Sequence, residues 1–383
     1  MKTPCPIYYI ILFIGVIAAC KKPFTPPAIT TNYNYLVVDG VINAGANSVT
    51  TILLSRTRQL SAGNATNTES GAQVSIESQA GGSFALVSQG SGVYKSASLT
   101  LDTAAQYRLR IIANGNTYLS AFVPVKQTPP IDSITWKQAT DTTKALTIFA
   151  HTHDPSNNTR FYRWDYVETW QYHAPLDAEL ELDNNGLIFY NDPTTQIYNC
   201  WGTVISPNIS VATSVNLSQD VISYAPVNII LQNDKRLTVR YSINVKQYGL
   251  TKEAYAYWQI LANSTQQTGS IFDVQPSQIV GNIQCVSDQS QPVIGFASAS
   301  YITEKRIFID HRQLVDWAIS SIPDITCTLG ADPQDPNDFR IFHNIDSTYG
   351  PYYFSGSNVI IAKKDCLDCR RQGGTSIKPD FWQ

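Results

Sequence analysis

Three groups of side chains have types and spacings that chemistry could use. His151-Thr152-His153-Asp154 sets two imidazoles at i and i+2, which on a strand face the same way, as two ligands of one metal would. A third ligand would have to come from elsewhere, with His173 the candidate. Two solvent-facing histidines ahead of a turn is the simpler reading, and neither a metal nor another cofactor is expected. Asp165, Glu168, Glu179 and Glu181 supply carboxylates. Glycoside hydrolysis needs two acids at a set separation, and nothing in the spacing of these four selects a pair. Asp332-Pro333-Gln334-Asp335-Pro336-Asn337-Asp338 is rich in oxygen donors. It lacks the Asp-x-Asp-x-Asp-Gly order and closing Glu of a calcium loop, so it reads as a solvated Pro-rich loop. Asp183-Asn184-Asn185-Gly186 reads as a turn. The chain contains no Gly-x-Ser-x-Gly, no Gly-x-x-x-x-Gly-Lys and no His-Glu-x-x-His.

The cysteines are more informative. Lys2, the apolar run Ile7 to Ile17 and the small residues before Cys20 make residues 1–19 a signal peptide. Ile17-Ala18-Ala19-Cys20 resembles the bacterial lipobox, in which this thiol is acylated and becomes the first mature residue. The apolar run falls short of the roughly 20 residues of a membrane span. Each buried acyl CH₂ contributes about 0.8 kcal/mol, so several chains on one residue hold firmly. Residues 20–33 then read as a lipidated cysteine and a tether, semi-extended through Lys21-Lys22-Pro23-Phe24-Thr25-Pro26-Pro27. With Cys5 in the signal peptide, Cys200, Cys285, Cys327, Cys366 and Cys369 remain as candidate disulfide cysteines. Outside the cytoplasm such thiols pair, and an odd number leaves one free. Cys366-Leu367-Asp368-Cys369 lacks the second ligand pair of a zinc ribbon and the βαβ setting of a redox motif. Long-range disulfides tying the C-terminal tail to the body are expected, with Cys285 and Cys327 as candidate partners and the connectivity open.

The elements that must position these groups are strands. Of 383 residues, 43% are apolar and 15% charged, with 21 Tyr, 14 Phe and 7 Trp; this favours β-sheet over a helical bundle. A net charge of −3 without a Lys/Arg cluster argues against electrostatic capture of nucleic acid, and no nucleic-acid partner is expected. The expected class is all-β. Residues 34–127 hold six or seven short strands split by Gly/Asn turns, as in an immunoglobulin-like sandwich. Thr128-Pro129-Pro130 marks the boundary to a second, larger β-sandwich-like domain over 128–383. There Trp164 suits the core, about 171–235 reads as an irregular insertion, and Leu237 to Tyr248 alternates as a central strand. One helix is expected at about 251–263, capped by Thr251, with Tyr255, Trp258 and Ala262 on the face that packs on the sheet. A shorter one is expected at Arg312 to Ser320. Phe272 to Cys285 reads as a loop wrapped on the first helix, with a Cys-linked tail whose Phe381-Trp382 pair docks on the body.

Four stretches, in order, resemble a Bacteroidota lipoprotein family, domain-of-unknown-function family four-two-four-nine. They are Arg240 to Tyr248 running into Leu250 to Trp258; Gly269 to Gln278 with Gly281 to Cys285; Glu304 to Ile309; and Cys366 to Arg371 with Gly373-Gly374-Thr375 and Lys378 to Trp382. The resemblance implies an outer-membrane, lipid-anchored protein often encoded beside a TonB-dependent receptor, and it supplies no catalytic residues. Lys21-Lys22 stands where surface-exported lipoproteins of that phylum often carry acidic residues, so the cell-surface and periplasmic faces both stay open. The expected function is non-enzymatic: an accessory to TonB-dependent nutrient uptake that touches a receptor or a glycan or peptide ligand. The alternatives are an independent glycan-binding or adhesion module, and an envelope hydrolase or metalloprotein around His151 and His153.

Overall fold

The computed structural model describes residues 34–58, 67–183, 186–189, 196–266, 281–317, 326–333 and 347–383. The signal segment, Cys20, the tether, and the parts of the expected loops and short helix at 272–280, 318–320 and 334–338 lie outside the described residues.

Eight strands form the first unit: β1 (Leu36–Asn43), β2 (Thr51–Arg56), β3 (Gln73–Ser78), β4 (Ser83–Ser88), β5 (Val93–Ser96), β6 (Gln106–Ala113), β7 (Asn116–Ser120) and β8 (Val123–Lys126). Their register follows from alternation. In β6, Tyr107, Leu109, Ile111 and Ala113 point inward while Arg108 and Arg110 reach Glu77 on β3. Leu36, Ile42, Ile52, Leu54, Ile76 and Tyr94 complete an apolar interior. Gly40 is required on β1: its φ is +139°, and a Cβ there would lie 2.6 Å from the Thr51 carbonyl oxygen.

The second unit is a pair of facing sheets. It uses β9 (Ile131–Gln138), β10 (Leu146–Asp154), β11 (Phe161–His173), the hairpin β12 (Leu180–Asp183) and β13 (Gly186–Phe189), β14 (Asn199–Ile205), β15 (Ser210–Thr213), β16 (Asp220–Ile230) and β17 (Arg240–Gly249). Helix α1 (Lys252–Gln266) follows, started by Thr251 Oγ1 accepting from the Ala254 N–H at 3.2 Å. The chain then returns to the first unit as β18 (Ile283–Cys285), β19 (Val293–Gly295) and β20 (Ala299–Ser300), and ends the second with β21 (Ile302–Asp310). One sheet runs β16-β10-β9 and the other β14-β11-β17-β21, with β15 also on β11. Between them lie Tyr162, Trp164 and Tyr166 from β11, Ile148 from β10, and Tyr241, Ile243 and Val245 from β17.

Three differences from the sequence reading have physical causes. First, β20 pairs in parallel with both β1 and β8, and β8 pairs with β6. The strands β6-β3-β4-β5-β2-β1-β20-β8 therefore close on themselves as a barrel-like sheet instead of an immunoglobulin-like sandwich over 34–127. Closure depends on Ala299 and Ser300, two residues too few to show any alternation. Second, the expected 171–235 insertion shrinks. β14, β15 and β16 belong to the sandwich sheets, and among the described residues β12–β13 pair only with each other. Pro226 disguises β16, which occupies a sheet edge where proline is tolerated. Third, the boundary at Thr128-Pro129-Pro130 is tied into the fold, with Thr128 and Pro129 buried and Pro130 exposed. Thr128 Oγ1 accepts from the Gly249 N–H at 2.8 Å and sits 2.7 Å from Ser300 Oγ, while the Pro129 carbonyl accepts from Gln247 Nε2 at 2.8 Å.

A three-stranded sheet, β22 (Leu329–Pro333), β24 (Asn358–Lys363) and β23 (Tyr349–Ser355) in that order, precedes the short helix α2 (Lys364–Leu367). The tail is held by Cys200–Cys369, and Cys327 joins Cys366. Cys285 is corrected as a disulfide candidate: it ends β18 on the barrel, buried and free. At the C-terminus the Trp382 ring meets Trp201 and Phe308 edge-on at 6.3 and 5.5 Å, and Arg306 lies 3.6 Å over Phe381. In place of a helix at Arg312, a 3₁₀ turn spans His311–Gln313, capped by Asp310.

Candidate functional site

His151 and His153 lie on β10 two residues apart, as the spacing implies, but each is engaged locally. His151 Nε2 is 2.7 Å from Thr135 Oγ1 and its ring meets Tyr224 edge-on at 4.7 Å. His153 Nδ1 is 2.8 Å from Asp132, whose carboxylate holds the imidazole above its ordinary pKa. His173 is elsewhere, at the far end of β11, stacked on Tyr198 at 4.5 Å, with its pKa lowered by burial. Among the described residues no three His, Cys, Asp or Glu side chains gather as a metal site would require. Asp332 is buried in β22.

The four candidate carboxylates separate. Glu179 is exposed and Glu181 half-buried, on and beside the β12–β13 hairpin. Asp165 and Glu168 share β11, but strand geometry sends positions three apart to opposite faces. Glu168 points inward and is only 2% exposed. Its Oε2 accepts from Tyr241 Oη at 2.7 Å and Asn228 Nδ2 at 3.1 Å, and its Oε1 from Arg236 Nη1 at 2.7 Å. Arg236 also holds Asp234 at 2.7 Å. The two carboxylates keep Arg236 protonated against burial, and the Arg236 guanidinium helps keep the Asp234 carboxyl below its usual range. Burial pushes Tyr241 well up, with the Glu168 charge adding to it, and raises Tyr166 to about 12. Tyr166, Glu168, Asn228, Asp234 and Arg236 line an open cleft of about 580 Å³ with Trp170.

The opposite face of β11 carries the second cleft, of about 390 Å³, where barrel, sandwich and helix meet. Each part comes from a different element. β11 supplies Arg163 and Asp165, β1 supplies Asp39, α1 supplies Tyr257 and Trp258, and Pro207-Asn208 separates this cleft from the first. Arg163 Nη2 donates to Asp165 Oδ2 at 2.9 Å. Its guanidinium lies 3.9 Å from the Trp258 ring centre and 4.8 Å from that of Tyr248, a stacked cation. Burial, with the nearby Asp39 charge, raises Tyr257 to about 12. Val41, Tyr248, Leu250, Ala254 and Phe296 form the apolar base that presses α1 against both units. Sequence reasoning passed over Arg163. The signal was a lone cation inside Phe161-Tyr162-Arg163-Trp164, a run otherwise apolar. The aromatic stripe on α1 packs as a stripe should, yet against β1 as well as the sandwich sheet.

A closed barrel and a two-sheet sandwich, pinned by one helix with a concave aromatic cleft at the join, define an all-β protein of two interlocked units. Residues 21–306 match the family described as Domain of unknown function (DUF4249), and the chain belongs to that family. No curated protein matches it. Among solved structures, the adhesin InvE of Yersinia pseudotuberculosis is similar at 12% identity and a TM-score of 0.15, covering 56% of each chain. The alpha-2-macroglobulin of E. coli is similar at 9% identity and a TM-score of 0.17, over 58% of this chain and 13% of that one. The B domain of a biofilm associated protein follows at 9% and 0.15, over 76% of this chain and 91% of that one. The chain thus spans about half the adhesin and a small part of the macroglobulin, and likenesses this weak carry no argument.

Proposed function

We propose that this is a non-enzymatic outer-membrane lipoprotein, anchored through Cys20, that assists TonB-dependent nutrient uptake by binding a receptor or the receptor's ligand. The observation that carries this reading is the junction cleft: preformed, concave, aromatic, and lined by a few charged groups, as small-molecule sites are. Two further features support it. The segment ending in Cys20 carries the acylation signal, and paired cysteines at Cys200–Cys369 and Cys327–Cys366 suit an oxidising compartment. The test is affinity purification of the tagged full-length protein from its native membrane, with mass spectrometry of residue 20. An acylated Cys20 and a co-purifying receptor are expected. An unmodified thiol on freely released protein, or a protein always recovered alone, overturns the reading.

A further inference from the structure

The junction cleft contains donors that nothing in the described structure uses. Arg163 is 8% exposed, and its Nη1 is buried without an acceptor among the described residues, although Nη2 is taken by Asp165. Stacking between Trp258 and Tyr248 holds the guanidinium plane, so the free N–H cannot swing to another acceptor. Trp258 Nε1, on the same wall, is likewise buried and without an acceptor among the described residues. Folded proteins rarely leave buried donors unmet unless something else supplies the acceptor. The same cleft offers carboxylate acceptors at Asp39 and Asp165.

The charges narrow the ligand. Two carboxylates against one guanidinium leave the lining formally at −1, which repels an anion. Arg163 and Asp165 cancel each other, so a cation finds only the exposed, solvent-screened Asp39. What satisfies N–H donors and carboxylate acceptors side by side is a group that accepts and donates from one atom, a hydroxyl. The apolar C–H face of a ring carrying neighbouring hydroxyls would meet the exposed Ile205 side chain of the cleft, since Tyr257 and Trp258 are 5% and 8% exposed and Trp258 already stacks on Arg163. We propose that this cleft binds a neutral, polyhydroxylated ligand of the mono- or disaccharide class, with Arg163 and Asp39 as its specificity determinants. The inference rests on the binding function proposed above and gives that site its ligand chemistry.

The test uses the full mature chain in detergent, titrated with maltose, cellobiose, lactose and diacetylchitobiose, and with galacturonate and free lysine as charged probes. Tryptophan fluorescence and saturation-transfer NMR report binding. At least one neutral sugar should bind saturably and the charged probes should not. Asp39→Asn, at an exposed position, should weaken binding about tenfold or more. Arg163→Lys should do the same while the melting temperature holds, and Asp310→Asn, outside the cleft, should change nothing. No saturable sugar binding up to about 10 mM, preference for either charged probe, or full binding by Asp39→Asn each overturns the inference. A receptor that co-purifies with a protein blind to sugars sinks this ligand class alone. Sugar binding with no receptor recovered keeps it and removes the uptake role.

Discussion

Replacing Cys200 and Cys369 together by alanine should cost this protein more than any other single covalent change. The bond joins positions 169 residues apart, so cutting it frees a long loop in the unfolded chain. The chain-entropy relation gives about 5 kcal/mol for a loop of that size, against about 4 kcal/mol for the 39-residue separation of Cys327 and Cys366. Other contacts soften the loss. The Cys369 carbonyl accepts from Tyr172 Oη at 2.9 Å, and Trp201 and Thr375 exchange main-chain bonds of 2.8 and 3.0 Å. Trp382 stays seated against Trp201 and Phe308. We expect guanidinium unfolding, followed by tryptophan fluorescence, to show a loss of about 3–5 kcal/mol for C200A/C369A. The loss should be larger than for C327A/C366A, and trypsin should cut at Arg370 or Arg371 sooner. A loss under about 1 kcal/mol, or the reverse order of the two pairs, refutes loop closure as the reason the tail is crosslinked.

Glu168→Ala should lower stability by about 3–5 kcal/mol, because it removes the acceptor of the buried Tyr241 hydroxyl and one carboxylate of Arg236, and leaves Asn228 Nδ2 with only its 3.1 Å bond to Tyr241 Oη. Urea unfolding checks this, and a cost under about 1 kcal/mol would mean that water replaces the carboxylate. His153 should titrate above an ordinary histidine in an NMR pH series, since Asp132 favours its charged form. The stabilisation it brings is complete below the unfolded value and disappears as pH rises through the raised folded value. Asp132→Asn should bring the midpoint back, and a midpoint that stays put denies the pairing.

Legibility from sequence followed the range of the interactions. Strand faces set by neighbours one or two residues away could be read directly, as in Tyr107-Arg108-Leu109-Arg110-Ile111, whose alternate residues are buried. The start of α1 is equally local, since Thr251 caps it from three residues away. Features built on distant pairings left no such trace. Ring closure needs Ala299 beside Ile42 and Val125, positions with no shared pattern. Cys285 looked as eligible as Cys200 until β18 carried it to the barrel edge. The cleft was hidden for the same reason. Arg163 is ordinary on its own strand and gains its meaning from Trp258, 95 residues later by their numbering, and from Asp39 on the other unit.

The order in which the chain visits its two units explains why that cleft can be shaped in advance. The barrel cannot close until β20 arrives, and β20 follows every sandwich strand except β21. Thr128 and Ser300 meet at 2.7 Å, at the first and the second point where the chain leaves the barrel for the sandwich, and Gly249 ties the same point to β17. The two crossings are thereby clamped together, a few residues from the apolar base under α1. A single crossing would act as a hinge, and any cleft between the units would open and shut with it. With two crossings bonded to each other and a helix wedged beside them, Asp39 on one unit keeps a fixed position relative to Arg163 and Trp258 on the other. A ligand then meets groups already in place and spends little of its binding energy on ordering them. The interlocked topology, which defeats a division of the chain at residue 128, is what lets three separate elements act as one site.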